Sequence, residues 1–161
     1  MASNVLLVLV GAPGSGKSHY ADSLEGWRII AAEKIREAVA GDRDDMSRED
    51  EVWELALEGI EASLRAGEKV VFDATNTTKE DRASLIDLAE ENGAQAVCAV
   101  FWADEATCLV NLRHRARRDD GAVAIDEDDV RQMVRNLERW PPRQDEGFTE
   151  VIEMGRRPPR T

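Results

Sequence analysis

The sequence predicts an α/β fold, a five-stranded parallel sheet flanked by helices on both faces. Two observations carry that prediction: apolar runs of strand length alternate with longer segments of helical period, and several of those runs are continuously apolar, as strands covered on both faces are. A third observation sets the scale. With 161 residues, 42% hydrophobic and 34% charged, the chain has apolar material for one core rather than two, so residues 1–161 are expected to form a single domain.

The strand candidates are Val5 to Val10 (VLLVLV), Arg28 to Ala31, Lys69 to Asp73 (KVVFD), Gln95 to Trp102 (QAVCAVFW) and Thr149 to Met154 (TEVIEM). Between them His19 to Leu24, Glu33 to Ala40, Ser47 to Arg65, Lys79 to Glu91, Glu105 to Arg118 and Asp126 to Trp140 read as helices. Ser47, with Asp50 three residues on, resembles a capping box for the longest helix. There is no internal repeat. The composition shifts only at an acidic loop, GDRDDMSREDE, and at a basic tail over residues 155–161.

Charge narrows the partners. A formal net charge of −12 opposes a broad electrostatic grip on DNA or RNA, so any nucleic-acid contact must be local. Cys98 and Cys108 lack a Cys or His partner at metal spacing and read as buried, reduced thiols. The run Val5 to Val10 is too short to span a bilayer, lacks a basic n-region and leads into a glycine-rich motif, so a soluble, cytoplasmic protein without membrane contact is expected.

That motif, GAPGSGKS from Gly11 to Ser18, fills every fixed position of GxxxxGK[ST] between a hydrophobic strand and a helix-compatible stretch. Its glycines let the backbone curl around a phosphate chain, with amide N–H groups and a helix N-terminus pointing inward. The P-loop NTPase fold follows. Gly11, Ala12, Pro13, Gly14, Ser15, Gly16, Lys17 and Ser18 are assigned to ATP, with Lys17 reaching the β- and γ-phosphates and Ser18 ligating Mg²⁺. His19 joins the nucleotide-binding stretch by position alone. Neither its side chain nor that of His114 has a partner pattern, and both read as solvent or packing residues.

The γ-phosphate has three possible fates: hydrolysis that drives motion, switching, or transfer to an acceptor. Transfer suits a chain this small and requires a carboxylate, an acceptor clamp and mobile arginines. In a parallel P-loop sheet ligands gather at the carboxyl ends of strands, which puts Glu33 at the rim with Arg36 one turn later on the same face. The pair is open to a plainer account, an (i, i+3) ion pair worth a few tenths of a kcal/mol. Asp73, closing an apolar strand, suits a Walker-B-like acid at Mg²⁺ or a turn residue before the next helix.

Arg113 with Arg117 and Arg115 with Arg118 stack like charges on neighbouring helix faces, a cost that a bound anion would relieve. The helix dipole, with Asp119 and Asp120 nearby, accounts for part of that clustering. Four arginines in six residues exceed what capping needs, so an arginine-rich helical lid is expected over about residues 113–128.

Taken together, GAPGSGKS, AAEKIR, VVFDATNTTKEDR, RHRARR, AVAIDEDDVRQM and PPRQDEGFTEV resemble, in order and spacing, the P-loop polynucleotide 5′-kinases, including the kinase domains of phage and bacterial end-healing enzymes. The resemblance spans nearly the whole chain. It implies that Glu33 is the general base and Arg36 holds a phosphate beside the acceptor hydroxyl. It also implies that Thr75, Asn76 and Arg82 contact the acceptor and that Arg115 and Arg118 touch the triphosphate. One departure stands out: the family ordinarily has Asp where this chain has Glu33, which adds a methylene to the reach. The resulting expectation is an ATP- and Mg²⁺-dependent kinase acting on the 5′-OH of a DNA or RNA end. The alternatives are a small-molecule or nucleotide kinase, a kinase of hydroxymethylated DNA bases, and a non-transferring ATPase or binding module.

Overall fold

The computed structural model describes residues 4–118, except the Arg118 side chain, and residues 125–155. In chain order the elements are β1 (Val5–Val10), α1 (Lys17–Asp22), β2 (Arg28–Ala31), α2 (Ala32–Ala40), α3 (Glu49–Arg65), β3 (Val70–Asp73), α4 (Lys79–Glu91), β4 (Gln95–Phe101), α5 (Glu105–Arg118), α6 (Glu127–Arg139) and β5 (Glu150–Met154). Short 3₁₀ turns cover Met46–Arg48 and Gln144–Glu146. The strands form one sheet in the order β2-β3-β1-β4-β5, and every adjacent pair is parallel. The predicted α/β architecture is therefore the observed one.

Strand periodicity divides the core in two. Leu6, Val8 and Val10 of β1 face the layer built from Val52, Ala56, Ile60 and Leu64 of α3 and Leu85 and Ala89 of α4. Leu7 and Leu9 point the other way, into a cluster with Val71, Ala99, Phe101 and Ala21 of α1. Both β1 faces are sealed, which is why VLLVLV carries no polar residue. A third cluster, Ala12 with Cys108, Leu109, Val130 and Val134, packs the loop after β1 against α5 and α6.

The helix starts depart from the sequence reading. Ser47 caps nothing: Asp45 accepts from the Ser47 amide at 3.0 Å and opens the 3₁₀ turn, so α3 begins only at Glu49. Acidic chain on both sides of Ser47 offered several caps, and the aspartate two residues upstream closes the tighter turn. Thr78 and Asp126 cap α4 and α6 by accepting amide protons from Asp81 and Asp128. Of the expected lid, residues 119–124 and the Arg118 side chain lie outside the described residues, as does the tail from residue 156. Among the described residues no helix is long and apolar enough to cross a membrane. Cys98 and Cys108 are free and buried, and burial pushes the Cys98 thiol up to about 12.

Candidate active site

The sheet reverses its build-out direction at β1, with β3 on one side and β4 on the other, so the crevice at the carboxyl ends of β1, β3 and β4 is the natural ligand site. The GAPGSGKS loop opens there. Gly14 and Gly16 take φ of +84° and +100°, in the left-handed region, and a Cβ on Gly14 would stand 2.5 Å from the Cys108 carbonyl oxygen. The loop is tied on both flanks: the Gly11 amide donates to the Thr75 carbonyl at 3.0 Å, and Asn111 Nδ2 on α5 donates to the Gly14 carbonyl at 2.8 Å. The helix that follows runs only six residues, so the pull on an anion rests on the loop amides and Lys17 more than on a long macrodipole.

Lys17 is buried, 7% exposed, with Nζ donating to the Ala12 carbonyl at 3.0 Å. Burial lowers the pKa of its ammonium group, and the charges of Asp73 and Glu33 oppose that shift. Ser18 Oγ donates to Asp73 Oδ2 at 2.7 Å, bringing together the two residues assigned to the metal. Burial raises the Asp73 carboxyl, and the Ser18 hydrogen bond and Lys17 act the other way. The donors are all oxygens, and among the described residues no group of three or more His, Cys, Asp or Glu gathers around a metal position. A hard cation that keeps several waters and takes its other ligands from phosphates fits this set, so Ser18 and Asp73 would hold Mg²⁺. His19 and His114 are exposed.

Glu33 and Arg36 both line the cavity beside Lys17, but they do not pair with each other. Glu33 Oε1 accepts from Arg115 Nη1 at 2.9 Å, and Arg115 Nη2 reaches Asp44 Oδ1 at 2.7 Å. Arg36 turns to Glu49 in a two-bond fork, Nε to Oε2 at 2.8 Å and Nη2 to Oε1 at 2.7 Å, and gives Nη1 to the Arg43 carbonyl at 2.8 Å. The plainer account of these two residues as an ion pair therefore fails in its partner: Glu49, across the helix interface, presents a bidentate carboxylate that Glu33 cannot match from its own helix. Asp44 was missed by the sequence reading. It is buried and its carboxyl is pushed up by burial, with Arg115 opposing. Arg113, one of the four arginines of the expected lid, pairs with Glu127 at 2.8 Å.

Thr75 and Asn76 follow β3 and line the same cavity. Asn76 takes φ of +50°, which asparagine tolerates, and anchors Nδ2 on the Leu9 carbonyl at 2.8 Å. Arg82 corrects an expectation. It is 0% exposed and donates to Glu146 at 3.0 Å, to the Trp140 carbonyl at 2.9 Å and to the Asn76 carbonyl at 3.3 Å, away from the cavity lining. A guanidinium on the inward face of α4 must satisfy its donors inside the protein, and it clamps the chain after α6 to the chain after β3. The cavity measures about 550 Å³.

A chain of the Pnkp1/Rnl/Hen1 RNA repair complex superposes with a TM-score of 0.75 at 23% identity, covering 86% of this chain and 45% of that one. A gluconokinase from Sinorhizobium meliloti 1021 gives a TM-score of 0.56 at 19% identity over 94% of this chain and 81% of that one. The 6-phosphofructo-2-kinase/fructose-2,6-bisphosphatase 4 of Rattus norvegicus is 30% identical over 109 residues, 55% of this chain and 23% of that protein. The chain thus spans less than half the length of the RNA repair chain and about a quarter of the rat relative. Residues 6–140 match the family model described as an AAA domain, and the chain belongs to that family.

Proposed function

We propose that this chain is a Mg²⁺-dependent kinase that moves the γ-phosphoryl group of ATP onto a hydroxyl. The observation that carries the reading is the contact of Ser18 with Asp73 beside buried Lys17, opening onto a cavity that Glu33 lines. The loop amides from Gly11 to Ser18 and the Lys17 ammonium hold the triphosphate, and bound Mg²⁺ supplies charge neutralisation at its oxygens. The acceptor hydroxyl oxygen bonds to the γ-phosphorus as the bond to the ADP oxygen breaks. Its proton passes to the Glu33 carboxylate. Arg115 orients that carboxylate in the state described here and, with Arg118, belongs to the segment that faces the triphosphate.

In its finer form the reading takes the 5′-OH of a DNA or RNA end as acceptor, bound by Arg36, Thr75 and Asn76. The motif resemblance and the likeness to a chain of an RNA repair complex support it. A small-molecule acceptor is favoured by a different observation, the commitment of Arg36 to Glu49. Incubation with γ-labelled ATP and a panel of 5′-OH oligonucleotides, hydroxymethylated DNA, nucleosides and hydroxylated metabolites tests the proposal. Label moves to one class if it is right; phosphate release with no labelled acceptor identifies a non-transferring ATPase instead.

A further inference from the structure

We infer that Asp44 is a positioning residue for phosphoryl transfer: it takes one arm of Arg115, so that this arginine steers the Glu33 carboxylate with a single N–H and leaves it able to act as base. The inference rests on the kinase reading above and adds to it a residue that belongs to none of the chain's motifs.

The first ground is how the guanidinium is shared. Arg36 shows what an arginine in this site does with one carboxylate: it takes both oxygens of Glu49, through Nε at 2.8 Å and Nη2 at 2.7 Å, the favoured two-bond fork. Arg115 does not treat Glu33 that way. Its Nη1 goes to Glu33 Oε1 at 2.9 Å, and its Nη2 goes to Asp44 Oδ1 at 2.7 Å. A fork on Glu33 would commit both oxygens of the base and hold its charge against proton uptake. Split between two acids, the arginine orients Glu33 without that commitment. The bridge also stands beside the phosphate loop, since Glu33 and Arg115 both act on the charge of Lys17, in opposite senses.

The second ground is cost. Asp44 is 7% exposed, and burial pushes its carboxyl up against the pull of Arg115. A carboxylate this deep persists only when it is paired. Docking of α5 does not call for it. That helix is already fixed by Cys108 and Leu109 packed with Val130 and Val134 of α6, by Asn111 on the Gly14 carbonyl at 2.8 Å, and by Glu105 on Arg131 at 2.6 Å.

The third ground is how Asp44 is presented. Its amide donates to Asp42 Oδ1 at 2.8 Å, the Asp45 amide donates to the Asp42 carbonyl at 3.2 Å, and Arg36 Nη1 holds the Arg43 carbonyl at 2.8 Å. Arg36 and Glu33 share α2, so the contacts close a ring: from Glu33 to Arg115, on to Asp44, and back through the Arg43 carbonyl to Arg36. The carboxylate that splits Arg115 is thereby kept in register with the helix that carries the base.

The test is phosphotransfer from γ-labelled ATP to 5′-OH decathymidylate at saturating Mg²⁺, together with a crystal structure of Asp44→Ala. Asp44→Ala should lower kcat by about tenfold or more and leave the ATP KM within about threefold, and its Arg115 should fork onto both oxygens of Glu33. Asp44→Asn keeps an oxygen for Nη2 and should lose less. Arg115→Lys keeps the charge but cannot span two acids; it should lose kcat to a similar extent, and adding Asp44→Ala to it should cost less than about a further twofold. Wild-type kcat in Asp44→Ala, a loss carried by the ATP KM alone, an asparagine as damaging as alanine, losses that multiply in the double variant, or an Arg115 that does not fork onto Glu33 would each overturn the inference. If Asp44→Ala does not fold, Arg115→Lys decides, and undiminished kcat there overturns it. A wild-type protein that transfers nothing to the oligonucleotide fails the 5′-OH reading instead, and the arrangement of Arg115 in the Asp44→Ala crystal still decides the inference.

Discussion

Arg115 donates to Glu33 at 2.9 Å, joining α5 to the tip of β2 across 82 positions of chain. One N–H occupies one of about four lone-pair sites on a carboxylate, so the contact orients Glu33 and leaves room for an acceptor proton. Glu33→Gln keeps an oxygen for Arg115 and removes the basic site. Transfer should fall by about 10²- to 10⁴-fold, the usual worth of general base catalysis. Steady-state phosphotransfer beside a nucleotide titration checks it; nucleotide affinity should stay close to wild type, and full turnover in the variant would remove Glu33 from the role of base.

Among the described residues Lys17 is the one cation hydrogen-bonded to the phosphate loop, and its ammonium is a compact charge that a guanidinium does not replace. Both Lys17→Ala and Lys17→Arg should therefore lose transfer, by about 10²-fold or more, on the scale of removing one preorganised electrostatic contact. ATP binding followed by fluorescence of a labelled analogue should weaken in parallel. Wild-type transfer in the arginine variant would show that charge alone suffices.

Asp73 carries a pH prediction. Burial raises its carboxyl, so in the folded protein it takes up its proton at a higher pH than an ordinary aspartate. The sign is then fixed: its contribution to stability is present below the unfolded value of 3.8 and is lost as pH rises through the raised folded value. Mg²⁺ holding needs the opposite form, the carboxylate. As pH falls through that raised value, the Mg²⁺ concentration for half-maximal activity should climb, and Asp73→Asn should flatten the dependence. An Mg²⁺ requirement that does not move across the acid limb would exclude Asp73 from the metal.

Much of this was legible in the sequence because the signals were local. Unbroken apolar runs mark strands sealed on both faces, and GAPGSGKS dictates a loop whose backbone only glycine permits at Gly14. What escaped depends on tertiary partners. Asp44 is one acid in a loop of several, and nothing in its neighbours says that Arg115, 71 positions away, will bury it. Asn111 holds the Gly14 carbonyl from α5, again without a local mark. Arg82 did carry a local mark, which the expected acceptor role passed over: with Leu85, Ile86 and Ala89 it falls on the (i, i+3, i+4, i+7) stripe of α4, which puts it on the inward face.

That placement gives the last prediction. Arg82 is fully buried, and its guanidinium satisfies Glu146 and the carbonyls of Trp140 and Asn76 at once. Arg82→Met fills much of the space but leaves two carbonyls and a half-buried carboxylate, held then only by the Arg143 amide on Oε2, without this donor. Breaking a buried pair from one side costs about 3–5 kcal/mol. For a domain of this size that amounts to a fall in Tm of roughly 6–20 °C. Adding Glu146→Gln removes the stranded charge and should recover part of the loss, because the damage lies in the unpaired carboxylate more than in the missing arginine. Urea or thermal melts of the single and double variants decide it. A single variant that melts like wild type while the acceptor KM rises would return Arg82 to the acceptor site.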